Sequence, residues 1–191
     1  MIEFKNVSYA HSKGYGVNSL NMVIEEGDFT FLIGPTGSGK TTLMRLIYFD
    51  IFPDTGLVKV NGIKSTDISK SKIPNIRKSI GMVFQDYKLL NDRNLFENVA
   101  LPLHVLGHNN KEITNRVDEA LDLVGLIGKE MHYPNELSGG EQQRASLARA
   151  IIKEPDLILA DEPTGNLDPV ASFELVRSVS YTHLTLPTRL P

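Results

Sequence analysis

Apolar positions in the first third of the chain come in short bursts. Residues 2–8 alternate apolar with polar, the pattern of a strand with one buried face. A Gly27-Asp28 turn then leads into Phe29-Thr30-Phe31-Leu32-Ile33. That run is short and almost wholly apolar, which predicts a strand buried on both faces of a parallel sheet. A glycine-rich loop follows at once, and residues 42–48 take helical spacing. Residues 57–60, between Gly56 and Asn61-Gly62, predict a hairpin strand, and residues 80–84 another short apolar strand.

Beyond Asp86 the pattern turns helical, to about Gly128. Ile113, Val117, Ala120, Leu121 and Val124 form a stripe at 3.6-residue spacing, with Lys111, Glu112, Asn115, Arg116 and Glu119 off it. Leu137-Ser138-Gly139-Gly140 interrupts the pattern, and a second helix is expected over 141–153. Residues 156–161 predict a further buried strand ending in an acid. Strands alternating with helices imply an α/β fold with a helical lobe inserted near the middle.

Composition narrows the class. With 191 residues the chain suits one domain with an inserted lobe, and its 23% charged and 41% hydrophobic residues argue against wholesale disorder. A net charge of −3 is too mild for a general nucleic-acid or membrane-surface binder. The absence of cysteine excludes disulfides, thiolate metal sites and a cysteine nucleophile. The opening residues do not read as a signal peptide, and no window approaches the roughly 18 apolar residues of a membrane span. A cytoplasmic chain is therefore expected, with any membrane role exerted through a partner.

Three segments carry chemistry. Gly34-Pro35-Thr36-Gly37-Ser38-Gly39-Lys40-Thr41, followed by Thr42, fits G-x-x-x-x-G-K-[ST] and stands between an expected strand and an expected helix. Its glycines let backbone N–H groups curl around phosphate oxygens at a helix N-terminus, where the helix dipole favours anions. Lys40 is expected to reach the β- and γ-phosphates, and the Thr41 hydroxyl to ligate Mg²⁺. Asp161 and Glu162 close the last apolar strand, one suited to the magnesium shell and the next to orienting or deprotonating a water. Ser138, Gly139, Gly140 and Glu141 open a helix with two glycines and a capping-box spacing. They predict a second anion cradle, best explained as serving a nucleotide on another subunit.

The phosphate loop, Phe84-Gln85, Leu137-Ser138-Gly139-Gly140-Glu141-Gln142, the acidic strand end and Gly165-Asn166-Leu167-Asp168 resemble, in content and order, the ABC-type ATPases. The resemblance spans 1–178. It implies a P-loop NTPase fold: a RecA-like parallel sheet core, an N-terminal antiparallel β subdomain and an inserted helical subdomain at about 86–137. It also implies ATP and Mg²⁺ as ligands, with Thr41, Gln85 and Asp161 at the metal and Glu162 as catalytic base. Gln85 would sense the metal, the attacking water and a transmembrane partner. Ser138, Gly139 and Gly140 would meet the ATP of a second copy in a head-to-tail homodimer, with Asp168 across the interface. An integral membrane partner at the inner face of the cell membrane is implied, and no nucleic acid.

Within the family, Phe84-Gln85-Asp86, Leu89-Leu90, Asp92-Arg93 and residues 97–103 are most similar to the cell-division branch. Branches that release lipoproteins or export macrolides share Pro163-Thr164-Gly165-Asn166-Leu167-Asp168. Leu89, Leu90 and Phe96 fit either the helical lobe's core or a docking surface. The resemblance calls for an aromatic ring on adenine, which either His11 or Tyr9 could supply, His11 standing at the matching position. It also calls for a switch histidine well beyond Glu162, past Pro191; His183 follows no apolar strand and is not assigned that role. A truncated cassette that binds ATP without turnover is the alternative reading this leaves open. Residues 179–191 resemble translated sequencing-adapter DNA, so a non-native tail and an incomplete C-terminal end are expected.

Overall fold

The computed structural model describes residues 1–11, 14 and 16–161. These belong to two compact units, Met1–Arg77 and the chain from Lys78 onward.

The first unit is built on an antiparallel sheet. Strands β1 (Ile2–Ala10), β2 (Gly16–Ile24), β3 (Thr55–Val60) and β4 (Ile63–Lys64) lie in the order β2-β1-β3-β4. Ile2 pairs with Val60 and Phe4 with Val58, so the alternation along β1 puts Ile2, Phe4, Val58 and Val60 together, all buried. Helix α1 (Lys40–Ile47) buries Leu43, Met44, Leu46 and Ile47 and neighbours β3 and β2. Arg77, in the short helix α2 (Ile73–Lys78), secures the end of α1: its guanidinium stacks on the Tyr48 ring at 4.5 Å and donates to the carbonyls of Tyr48 and Phe49, both at 3.1 Å. Phe49 is left-handed at φ 52, and those bonds help hold it there.

The second unit carries β5 (Ile80–Val83) and β6 (Leu157–Ala160), paired in parallel, with Ile80 opposite Leu157 and Val83 opposite Ala160. Helices α3 (Leu95–Leu106), α4 (Asn110–Leu123) and α5 (Gly139–Ile151) pack on one another, and α5 also packs on β5. Leu95, Val99, Leu103, Ile113, Val117, Leu121, Ala145 and Ala148 share one apolar core. A Cβ on Gly81 would stand 2.7 Å from the Ala150 carbonyl oxygen, so a glycine in β5 is what lets the α5 backbone come this close. The α4 stripe is buried as the periodicity predicts, Ala120, Leu121 and Val124 included. Among the described residues, no helix is long and apolar enough to cross a membrane.

Three expectations need correction. Residues 29–33 form no strand: Phe29 is 51% exposed, Phe31 67% and Ile33 94%. A central parallel strand is held only by its neighbours, and no described strand pairs with this run. The helical stretch after Asp86 begins only at Leu95, because residues 84–94 are irregular. The helix expected over 141–153 begins at Gly139 and ends at Ile151. Of the lobe assigned to about 86–137, α3 and α4 fall inside those bounds. The segment Glu162 onward, with Gly165, Asp168, His183 and the tail at 179–191, lies outside the described residues.

Candidate functional site: a phosphate loop and a signature helix

Residues 34–40 turn directly into α1, whose N-cap Gly39 is left-handed at φ 93; Gly37 is left-handed too, at φ 83. Side-chain-bearing residues rarely adopt either conformation, which explains the glycines. The first turn of α1 holds no acid, so nothing within the helix competes for its N-terminal dipole. Gly34, Pro35, Thr36, Gly37 and Ser38 are exposed, and the Ser38 N–H closes the loop on the Pro35 carbonyl at 3.1 Å. Lys40 folds back across the loop, its Nζ donating to the carbonyls of Gly34 at 2.8 Å and Pro35 at 3.1 Å. An ammonium held over an exposed glycine-rich loop at a helix N-terminus suits a multiply charged phosphate group.

Thr41 is exposed and Thr42 buried. The Thr42 hydroxyl meets His11 Nε2 at 3.0 Å, and the Tyr9 ring abuts the His11 ring edge-on at 5.0 Å. His11 is thus tied to the phosphate-loop helix, with Tyr9 behind it. Thr42 points at His11 rather than outward.

In the second unit, Gln85 is exposed in a turn that closes from the Tyr87 N–H to the Phe84 carbonyl at 3.1 Å, just past β5. Asp161 is buried immediately after β6, its N–H bonded to the Val83 carbonyl at 3.0 Å. The sheet pairing therefore brings the ends of β5 and β6, and with them Gln85 and Asp161, to one edge. Ser138 caps α5 in a capping box with Glu141. The Ser138 N–H and hydroxyl donate to Glu141 Oε2 at 2.8 and 2.9 Å, and Lys129 forms an ion pair with Glu141 Oε1. The Lys129 bond, then the two from Ser138, hold the Glu141 carboxyl down at about 2. Glu141 thus holds Ser138 in place at the start of α5. Gly139 and Gly140 open the helix beside it.

Sequence reasoning missed several side chains. Asn98 is buried and binds four backbone groups: its Oδ1 accepts from the Leu90 N–H at 2.7 Å, and its Nδ2 donates to the carbonyls of Leu90, Arg93 and Asn94, each at 3.0 Å. Lys129 and Arg149 likewise act across long sequence separations. Gln143, inside the signature helix, is buried with no hydrogen-bond partner for either side-chain amide atom.

A loop of this geometry opening a helix, in a chain that also carries a parallel strand ending in an acid, defines a phosphate-loop nucleotide-binding protein. The ABC transporter profile matches residues 17–165, and the chain belongs to that family. It is 42% identical over 185 residues to the cell division ATP-binding protein FtsE of Streptococcus pneumoniae serotype 2, covering 96% of this chain and 80% of that one. Identity to the FtsE of Haemophilus influenzae is 47% over 175 residues, covering 91% and 80%. Among solved structures, a dimeric post-hydrolysis state of an ATP-binding cassette bound to ADP and Pi has a TM-score of 0.89 at 34% identity, covering 96% of this chain and 83% of that one. A dimeric bacterial ABC transporter cassette gives 0.88 at 35% identity, with the same coverage.

Proposed function

We propose that this chain is the ATP-binding and hydrolysing subunit of an FtsE/FtsX-like complex acting in cell division, peripheral at the inner face of the membrane through an integral partner of FtsX type. The phosphate loop carries the reading: an exposed glycine-rich loop at a helix start, spanned by Lys40. The similarity to FtsE proteins over nearly the whole chain supports the choice of branch. Thr41, Gln85 and Asp161 are oxygen donors, the set that a hard divalent cation such as Mg²⁺ takes. Bound there, Mg²⁺ would neutralise phosphate charge as it develops.

The protein's own groups do the rest. Lys40 leaves its two carbonyls for the phosphates, Gln85 orients the attacking water, and Glu162 accepts its proton. His11 faces adenine. In a homodimer, Ser138, Gly139 and Gly140 close on the nucleotide of the partner copy, and the Glu141 box keeps Ser138 aimed. The cassette is proposed to occupy 1–178.

The test has two arms. Lys40→Ala should weaken binding of a fluorescent ATP analogue at physiological salt by about a hundredfold or more, since charge-assisted phosphate bonds are the strong ones; near-unchanged affinity would sink the phosphate-loop reading. Coexpression with the neighbouring membrane gene should yield a complex if that gene encodes an FtsX-type protein. Failure of the two to copurify would overturn the cell-division assignment and leave the ATPase.

A further inference from the structure

The turn that carries Gln85 continues into two side-chain-bearing residues in the left-handed region, Tyr87 at φ 58 and Lys88 at φ 50. One such residue is uncommon, and two in succession persist only where the surroundings hold them. The holding group is visible. Arg149, ten residues into α5, donates Nη1 to the Lys88 carbonyl and Nη2 to the Tyr87 carbonyl, both at 2.6 Å. The Ser146 hydroxyl donates to the same Tyr87 carbonyl at 3.2 Å. A rigid guanidinium fork with one prong on each of two consecutive carbonyls fixes their relative orientation, which a lysine ammonium would not do. Tyr87 also reaches toward the other end of α5: its hydroxyl would lie 3.4 Å from a Cβ on Gly139.

We infer that Arg149 is a positioning residue for Gln85, clamping the left-handed turn to the signature helix so that Gln85 and the Ser138–Gly139 cradle are held by one element. The inference rests on the reading of Gln85 as the residue that meets the metal and the water. Arg149 touches neither nucleotide nor metal; it acts through the backbone of residues 85–88. A turn bound to a helix through two consecutive carbonyls keeps its shape when that helix moves, so the two halves of the site in this unit travel together.

The test uses the full 191-residue chain and needs no turnover. Arg149→Met should speed amide exchange at Tyr87 and Lys88 by about tenfold or more, the scale of losing hydrogen bonds to a charged group. The Leu90 amide, held by Asn98, should not change and serves as internal reference. The Mg²⁺ concentration for half-maximal binding of a fluorescent ATP analogue should rise severalfold, as it should also in Gln85→Ala, with affinity in EDTA unaltered. Lys88→Gly in the Arg149→Met background should restore the Mg²⁺ dependence to that of Lys88→Gly alone, because glycine adopts this conformation unaided. If Arg149→Met does not fold, Arg149→Lys, which cannot bridge both carbonyls, should give a smaller loosening of the same amides. Unchanged exchange in the folded variant, or no rescue by the glycine, would overturn the clamp. A shift with Gln85→Ala but none with Arg149→Met also overturns it, whereas no shift with Gln85→Ala rejects the reading of Gln85 itself.

Discussion

Glu141 ties the start of α5 to two other positions in the chain. Its carboxylate takes both Ser138 donors and pairs with Lys129, and these bonds hold its pKa at about 2 against an ordinary 4.5. The folded value lies below the unfolded one, so the stabilisation is fully present above about pH 4.5 and is lost as pH falls toward 2. Glu141 is partly open to solvent, so a modest figure applies: about 1 kcal/mol for the cap and ion pair together. Glu141→Gln should therefore lower the thermal midpoint at neutral pH, and the gap from the unmutated chain should close as pH is taken from about 5 to 2.5. Thermal melts across that series check it, and a gap that stays constant would show that the box contributes nothing ionic. Ser138 and Glu141 were legible as a cap from spacing alone. Lys129 was not, because a partner three turns upstream in an irregular segment leaves no periodic trace.

At the scale of elements, local chemistry was legible and long-range support was not. The phosphate loop, the α4 stripe and the start of α5 follow from glycine placement, periodicity and capping residues, all signals contained within a dozen positions. The irregular stretch 84–94 is different, because its order comes from elsewhere in the second unit. Arg149 holds its first part, and Asn98 holds its last by binding Leu90, Arg93 and Asn94. In the sequence Asn98 is one more polar residue near a helix start, beside the Asn94–Glu97 capping box. Removing it takes the partner from the half-buried Leu90 N–H and from the Arg93 carbonyl, and each unsatisfied group costs about 1–3 kcal/mol. Asn98→Ala is expected to destabilise the chain by about 2–4 kcal/mol after partial rehydration, with the loss centred on 90–94. Chemical denaturation measures the total. A change below about 0.5 kcal/mol, the range of ordinary surface substitutions, would mean that water replaces the side chain without penalty.

For the whole molecule, the disagreement between sequence and structure at residues 29–33 has a physical consequence. The run Phe29-Thr30-Phe31-Leu32-Ile33 has the composition of a buried parallel strand, yet its side chains reach 94% exposure and no described strand pairs with it. Composition reports what a segment needs, and pairing depends on what the rest of the chain supplies. An apolar, β-prone segment with unpaired backbone groups is a template for intermolecular pairing. The 191-residue chain is therefore expected to associate as its concentration rises, with light scattering increasing in the absence of nucleotide. Phe31→Lys sets a charge in the middle of the run and should lower the scattering severalfold, by the gatekeeper effect of a charge in such a segment. Appending the C-terminal segment of an FtsE relative should do the same without any substitution, because a paired strand offers no free edge. Dispersion of the unaltered chain as a single species at high concentration would show that residues 29–33 find partners within their own molecule. Scattering that persists in both altered chains would place the associating surface elsewhere, with exposed Ile127 and Met131 in the second unit the next residues to replace.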